Sequence, residues 1–184
     1  MCTRKFAVIV CGVMLASVVQ AQGYGIGKRA TEREIAGWDI DISPDGKGLP
    51  RGSGSVAQGK VVYDAQCAAC HGAKGEGKPA DRLVGGQGTL KSNSPVKTIG
   101  SFWPYAPTIY DYVYRAMPYP NPQTLTSDQT YAVTAYLLHL NGIVGAEAVM
   151  DAASLPKVQM PNRAGFFNDP RPDTANTPCR VDCR

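Results

Sequence analysis

Two cysteines and a histidine lie close together in the segment Cys67-Ala68-Ala69-Cys70-His71. This C-x-x-C-H spacing is the attachment signature of c-type haem. Two thiols three positions apart on a helical turn can both reach the haem vinyl groups as thioethers, and the histidine that follows them is placed to bind the iron. We therefore predict that Cys67 and Cys70 hold one covalent haem c and that His71 is its proximal iron ligand.

Three other interpretations of the cysteine pair compete with haem attachment. A thioredoxin-like redox pair is expected near a βαβ pattern, and the flanking sequence shows no strand alternation. A zinc site needs two more ligands, which Cys179, Cys183 and His139 could supply. A plain disulfide within the pair would give the surrounding haem-type context no role. The complete five-residue signature favours haem.

The second axial ligand of the iron must come from elsewhere in the chain. Met117 is the favoured candidate because it lies before a proline, on a loop between two predicted helices. Met160 also precedes a proline, beyond the last predicted helix, and is the main rival. Met150 is interpreted as packing. His139 lies on the flank of a helical apolar stripe near the helix C-terminus, a position typical of surface histidines, and is left out of the iron site.

Helices are predicted on both sides of the attachment segment. Ser55 and Gln58 form a capping box that begins a helix leading into the cysteines, and Thr126 and Gln129 begin a second helix over 127–140. A shorter aromatic helix is predicted over 108–114. Gly59 and Tyr63 lie four apart, a pairing suited to close crossing by another helix. The sequence thus predicts an all-α fold.

The N-terminus indicates export. Arg4 and Lys5 precede an uncharged apolar run of 14 residues (6–19), and small residues follow near Ala21, so residues 1–21 are interpreted as a cleaved signal peptide and the mature chain as periplasmic. The run is too short to span a membrane, and no other stretch is apolar enough to do so. Without the signal peptide the net charge falls from +4 to +2, which is too small and too scattered for nucleic-acid binding.

The rest of the mature chain divides into three parts. Residues 22–53 form an N-terminal arm that contains a short helix capped by Thr31 and Glu34, residues 54–142 form the helical domain, and residues 143–184 form an irregular, wrapping C-terminal tail. The tail ends with Cys179 and Cys183, for which a disulfide is the default in an exported protein. A redox-active or partner-linking thiol pair is the alternative.

Several segments together resemble the cytochrome subunit of the Sox sulfane dehydrogenase. They are GIG (25–27), EIAGWDID (34–41), PDGKGLP (44–50), GSV (54–56), PVKTIGSFWPYA (95–106) and RAMP (115–118), and the terminal cysteine pair fits as well. The resemblance covers nearly all of the mature chain. It implies a class I c-type cytochrome domain with His71 and Met117 on the iron. Because the chain has a single C-x-x-C-H, it resembles the form of this subunit that carries one haem.

The resemblance also implies partners and a role. A molybdenum-cofactor catalytic subunit of the sulfite-oxidase type would supply electrons from sulfane sulfur, and a soluble cytochrome would accept them. The chain would then be an electron-transfer subunit of an oxidoreductase complex and no enzyme by itself. The cytochrome partner of periplasmic sulfite dehydrogenases has similar motifs, so sulfite is an alternative electron source. A haem enzyme or sensor with an open coordination site is a third possibility.

Overall fold

The computed structural model describes residues 26–170, which form two units divided between Trp38 and Asp39. The predicted signal peptide (1–21) and the cysteine pair Cys179 and Cys183 lie outside the described residues. In the first unit, helix α1 (Glu32–Ala36) begins at Thr31, whose hydroxyl accepts a hydrogen bond from Glu34 N while the Glu34 carboxylate accepts one from Thr31 N. The predicted capping box of the arm is confirmed.

Two crossing helices form the centre of the second unit. Helix α2 (Val56–Gln66) and helix α5 (Ser127–Leu140) begin with the predicted capping boxes at Ser55 and Thr126. A Cβ atom on Gly59 would lie 1.9 Å from the backbone oxygen of Ala132, so only glycine permits this approach of the helices. The predicted crossing at Gly59 and Tyr63 is confirmed. The attachment segment begins directly after the last residue of α2.

Helix α4 (Ala106–Ala116) packs its apolar face, which includes Ile109, Tyr110 and Val113, into the same core. It is longer than the predicted helix over 108–114. Its first turn contains Pro107, and proline is favoured there because its fixed φ suits a helix and its missing N–H would lack a helical partner. The helix ends at Ala116, and Met117, the favoured second iron ligand, is its C-cap.

A buried carboxylate joins α4 to the segment that contains Ile42. Asp111 is 6% exposed and accepts a hydrogen bond of 3.0 Å from the backbone N–H of Ile42. Asp111 also pairs with Arg115 one turn further along α4. Residues from Asp39 onward therefore pack as part of the helical unit, whereas the sequence analysis grouped residues 39–53 with the N-terminal arm.

A small antiparallel sheet accompanies the helices. Strand β1 (Ser53–Ser55) pairs with strand β2 (Val149–Asp151), with Gly54 opposite Met150. Gly54 lies against α5, where a Cβ would come within 2.2 Å of Ala132 N. The prediction of an all-α fold omitted this sheet because three-residue strands carry too little alternation to be recognised. The other regular elements of residues 26–170 are helices, as is expected of a class I cytochrome domain.

The segment after β2 continues across the helical unit. A short 3-10 helix (Leu155–Lys157) leads to Met160, which is 4% exposed in the core. Beyond it, Asn162 Nδ2 donates a 2.7 Å hydrogen bond to the carbonyl oxygen of Phe102, and the rings of Phe102 and Phe166 meet edge-on with centroids 5.3 Å apart. These contacts hold the tail against the irregular loop that precedes α4.

Within residues 26–170, none of the helices combines the length and the hydrophobicity needed to cross a bilayer.

Candidate haem-attachment site

The predicted attachment residues share one helical turn. Cys67 ends α2 and precedes helix α3 (Ala68–His71), whose first backbone hydrogen bonds run from Cys70 N and His71 N to the carbonyl oxygen of Cys67. Cys67 is half-buried, Cys70 is exposed, and both thiols are free. Both cysteines are therefore available for thioether formation on the same turn as the histidine.

The protonation of Cys67 is unlike that of a redox-active cysteine. Burial, together with a smaller effect of the neighbouring Cys70, raises the pKa of the Cys67 thiol to about 11. Reactive C-x-x-C cysteines have a lowered pKa, which maintains the nucleophilic thiolate at neutral pH. Cys67 is thus a poor thiol for disulfide exchange, and the structure does not favour a thioredoxin-like pair.

A loop folds back over the attachment turn and orients His71. Gly77 N donates a 2.8 Å hydrogen bond to the carbonyl of His71, and Ala80 N donates one of 2.9 Å to the carbonyl of Cys70. The Nδ1 atom of His71 lies 2.7 Å from the carbonyl oxygen of Asp81. Because a carbonyl oxygen can only accept, Nδ1 is the donor of this hydrogen bond, and in the neutral ring Nε2 carries the lone pair that a metal would use.

The same loop (72–83) is tied to the helical core at both ends. At its start, the hydroxyl of the fully buried Tyr63 donates a 2.7 Å hydrogen bond to the carbonyl of Gly72. At its end, Asn141 at the C-terminus of α5 donates from Nδ2 to the carbonyl of Leu83 and accepts at Oδ1 from Gly85 N. Burial raises the pKa of Tyr63 to about 12, so its hydroxyl remains a donor at neutral pH.

The donor set of this turn fits covalent haem. Two free thiols and an imidazole with an available Nε2 lie on one turn, and the imidazole has the backbone partner that commonly fixes the orientation of a metal-bound histidine. A zinc site would need further ligands, and within residues 26–170 the structure contains no cluster of three or more His, Cys, Asp or Glu side chains able to bind a metal. Cys179 and Cys183, which were considered as further zinc ligands, lie outside the described residues.

The three candidate methionines differ in their surroundings. Met150 in β2 and Met160 after the 3-10 helix are core residues with 6% and 4% of their surface exposed. Met117 is only half-buried at the end of α4, where it packs against the same core as Cys67. His139 lies near the end of α5 with Nδ1 3.2 Å from the carbonyl oxygen of Val144, which occupies that nitrogen.

Several contributors to the site carry no recognisable sequence signal. Asp81 contacts His71 through its backbone carbonyl, so the type of its side chain gives no indication that it orients the histidine. Tyr63 and Asn141 were visible as a large residue on a helix face and a helix-ending residue, but their bonds to the loop depend on the tertiary fold. A loop that contains glycines directly after C-x-x-C-H was the one available hint that the backbone returns to the histidine.

Comparisons with known proteins agree with this geometry. The cytochrome c family profile matches residues 56–141. In the crystal structure of the sulfane dehydrogenase SoxCD from Paracoccus pantotrophus, one chain is 45% identical to this one, with a TM-score of 0.76 and coverage of 88% of this chain and 83% of that chain. No curated protein sequence matches this chain.

Cytochromes c hold haem covalently, and the fold and the attachment turn of this chain suit that group. The chain is an electron-transfer subunit and belongs to the family of cytochrome c subunits of SoxCD-type sulfane dehydrogenases.

Proposed function

We propose that this chain is the periplasmic monohaem cytochrome of a sulfane dehydrogenase, which accepts electrons from a molybdenum-cofactor subunit and passes them to a soluble cytochrome. The observation that carries the proposal is the 45% identity to a chain of SoxCD, extended over most of both chains. Similarity on that scale includes the arm and tail segments outside the cytochrome c domain, and such segments are suited to contacts within a particular complex.

Each residue of the attachment turn has a defined part in this proposal. Cys67 and Cys70 would form the thioethers, and His71 would bind the iron through Nε2 while its Nδ1–H donates a hydrogen bond to the backbone carbonyl of Asp81. When bound, haem c supplies a one-electron iron couple, whose potential is higher with a histidine and a methionine ligand than with two nitrogen ligands. Two protein ligands also leave substrate no open coordination position, which suits a relay and disfavours a haem enzyme or sensor.

Met117 is proposed as the second axial ligand. A methionine that must face a cofactor cannot be fully enclosed by protein side chains, and Met150 and Met160 are both enclosed in the core. Met117 retains partial exposure at the end of a well-packed helix. The helix fixes its backbone through the bond from Met117 N to the carbonyl of Val113, at 3.0 Å.

The location and covalent form of the mature protein are part of the same proposal. Residues 1–21 would direct export and be removed near Ala21, which places haem attachment and the sulfur substrate in one compartment. The terminal Cys179 and Cys183 would form a disulfide in that oxidising compartment. Intact mass of the purified protein tests all three features, because cleavage, one haem and one disulfide each change the mass by a known amount.

The partner and the substrate are tested on the complex purified from its native source. We expect the complex to contain molybdenum, and we expect a sulfur-loaded carrier protein to reduce the haem whereas sulfite alone does not. Reduction by sulfite without a carrier would instead identify a sulfite dehydrogenase. A complex without molybdenum would contradict both assignments.

The axial ligand is tested by optical spectroscopy of the oxidised protein. The methionine-to-iron charge-transfer band should be present in the wild type, absent in Met117→Ala and retained in Met160→Ala. Loss of the band in Met160→Ala and its retention in Met117→Ala would show that the ligand assignment is wrong. A wild type without the band would favour an open-site haem protein.

A further inference from the structure

The loop over residues 72–83 carries the hydrogen-bond partner of His71, and two core side chains hold its ends. Asp81 lies two residues before Leu83, whose carbonyl accepts from Asn141 Nδ2 at 3.2 Å. Gly72 directly follows His71, and its carbonyl accepts from the Tyr63 hydroxyl at 2.7 Å. Tyr63 lies in α2 and Asn141 caps the C-terminus of α5, so the two crossing helices determine where the loop lies.

Both side chains are buried and fully committed to these contacts. Tyr63 is 0% exposed, with its ring against that of Tyr136 at a centroid distance of 5.3 Å. Asn141 is 9% exposed, and it uses Nδ2 on the carbonyls of Leu83 and Leu137 and Oδ1 on Gly85 N. Among the described residues, Tyr63 is the one side chain of α2 whose hydrogen bonds reach this loop. The other hydrogen bonds of the loop run within it or to the adjacent turn, as from Ala80 N to the carbonyl of Cys70 at 2.9 Å, so they do not join it to α2 or α5.

We propose that Tyr63 and Asn141 are positioning residues that clamp loop 72–83 and thereby set the hydrogen bond between His71 Nδ1 and the Asp81 carbonyl. This inference rests on the proposed role of His71 as an iron ligand. The strength of that hydrogen bond sets how basic the imidazole is, because a carbonyl that accepts a hydrogen bond from Nδ1–H gives the ring partial imidazolate character. A more basic imidazole stabilises the ferric state, so the clamp lowers the reduction potential.

The test compares Tyr63→Phe, Asn141→Ala and the control Tyr136→Phe in the haem-loaded full-length protein. Tyr136 shares the ring contact with Tyr63, but among the described residues its hydroxyl makes no hydrogen bond, so Tyr136→Phe reports on loss of a tyrosine hydroxyl in the same cluster. We expect the midpoint potential to rise in Tyr63→Phe and Asn141→Ala and to stay at the wild-type value in Tyr136→Phe. The His71 Nδ1 proton should exchange faster with solvent in the first two variants only.

Two results would overturn the proposal. One is an unchanged potential and an unchanged His71 proton in both clamp variants, and the other is a shift in Tyr136→Phe as large as that in Tyr63→Phe, which would indicate ring packing. If the variants do not assemble, the wild-type protein still decides: the Tyr63 hydroxyl proton must be protected from exchange, and a freely exchanging proton refutes the clamp.

The outcome for the clamp can be separated from that for the proposed function. Clamp variants with wild-type potentials that are still reduced by the dehydrogenase would refute the clamp and support the function. If the dehydrogenase does not reduce the wild-type protein but the clamp variants show the expected shift in potential, the clamp is supported and the proposed function is refuted.

Discussion

Substitution of Gly59 by alanine should destabilise the protein through the crossing of α2 and α5. The new Cβ would lie 1.9 Å from Ala132 O and 2.5 Å from Ala132 C, against about 3.4 Å for ordinary contact, so the helices must separate by about 1.5 Å. Overpacking costs about 1–3 kcal/mol, and a backbone obstacle places this case at the upper end. Alanine offsets about 1 kcal/mol by its helix propensity, so we expect a net loss of about 2 kcal/mol.

Thermal and urea unfolding of the haem-loaded protein measure this loss. For a domain of this size, about 2 kcal/mol corresponds to a melting temperature roughly 6–8 °C lower. Gly145→Ala is the matched control because a Cβ there meets nothing within 4 Å, and its stability should change by less than about 0.5 kcal/mol.

The double variant Gly59→Ala with Ala132→Gly distinguishes the cause. The atoms nearest to the new Cβ are the carbonyl oxygen and carbon of Ala132, which a glycine also has, so removal of the Ala132 methyl should restore no stability. Recovery in the double variant, or a Gly59→Ala protein as stable as the wild type, would refute the reasoning about backbone contact at this crossing.

Three further predictions concern the core and the helix ends. Asp111→Ala should lower the free energy of unfolding by about 2–3 kcal/mol because Ile42 N–H loses its charged acceptor in a buried position, whereas Asp111→Asn, which keeps an acceptor, should lose less in urea unfolding. Burial raises the pKa of Tyr110 to about 12 and also raises that of Tyr131, whereas tyrosines of the unfolded chain ionise near pH 10. The stabilisation from these protonated side chains is therefore present below about pH 10 and is lost as the pH rises toward 12. Tyr110→Phe should make this decline less steep when the urea midpoint is measured against pH. Thr126→Ala should cost about 1 kcal/mol in thermal unfolding because the hydroxyl no longer caps α5, and an unchanged melting temperature would contradict that.

The helices were predicted well because their signals are local. The capping boxes at Ser55 and Thr126 each need residues three positions apart, and both helices begin where these pairs place them. The helix that precedes Met117 was predicted too short, since Pro107 was not recognised as a residue of its first turn. The sheet was missed because each strand has three residues and gains its order from its partner, almost a hundred residues away along the chain.

The attachment turn could also be predicted from the sequence, whereas the residues around it could not. The thiols and the imidazole lie within five consecutive residues, so their proximity follows from local backbone geometry. The choice among the methionines depends on which side chains the core encloses, and three methionines in different segments give no local signal of that. Burial of Met150 and Met160 became apparent only from the packed fold.

The amino-acid sequence by itself determined the chemistry of the attachment turn, the ends of the two crossing helices and the family resemblance, because each depends on residue types at short, fixed spacings. The tertiary structure decided which ring nitrogen of His71 donates to the Asp81 carbonyl, the hydrogen bonds of Tyr63 and Asn141 to the loop, and the link from Asp111 to Ile42. Those contacts join distant segments or use backbone atoms that every residue possesses. They form only when the chain folds and brings these segments together.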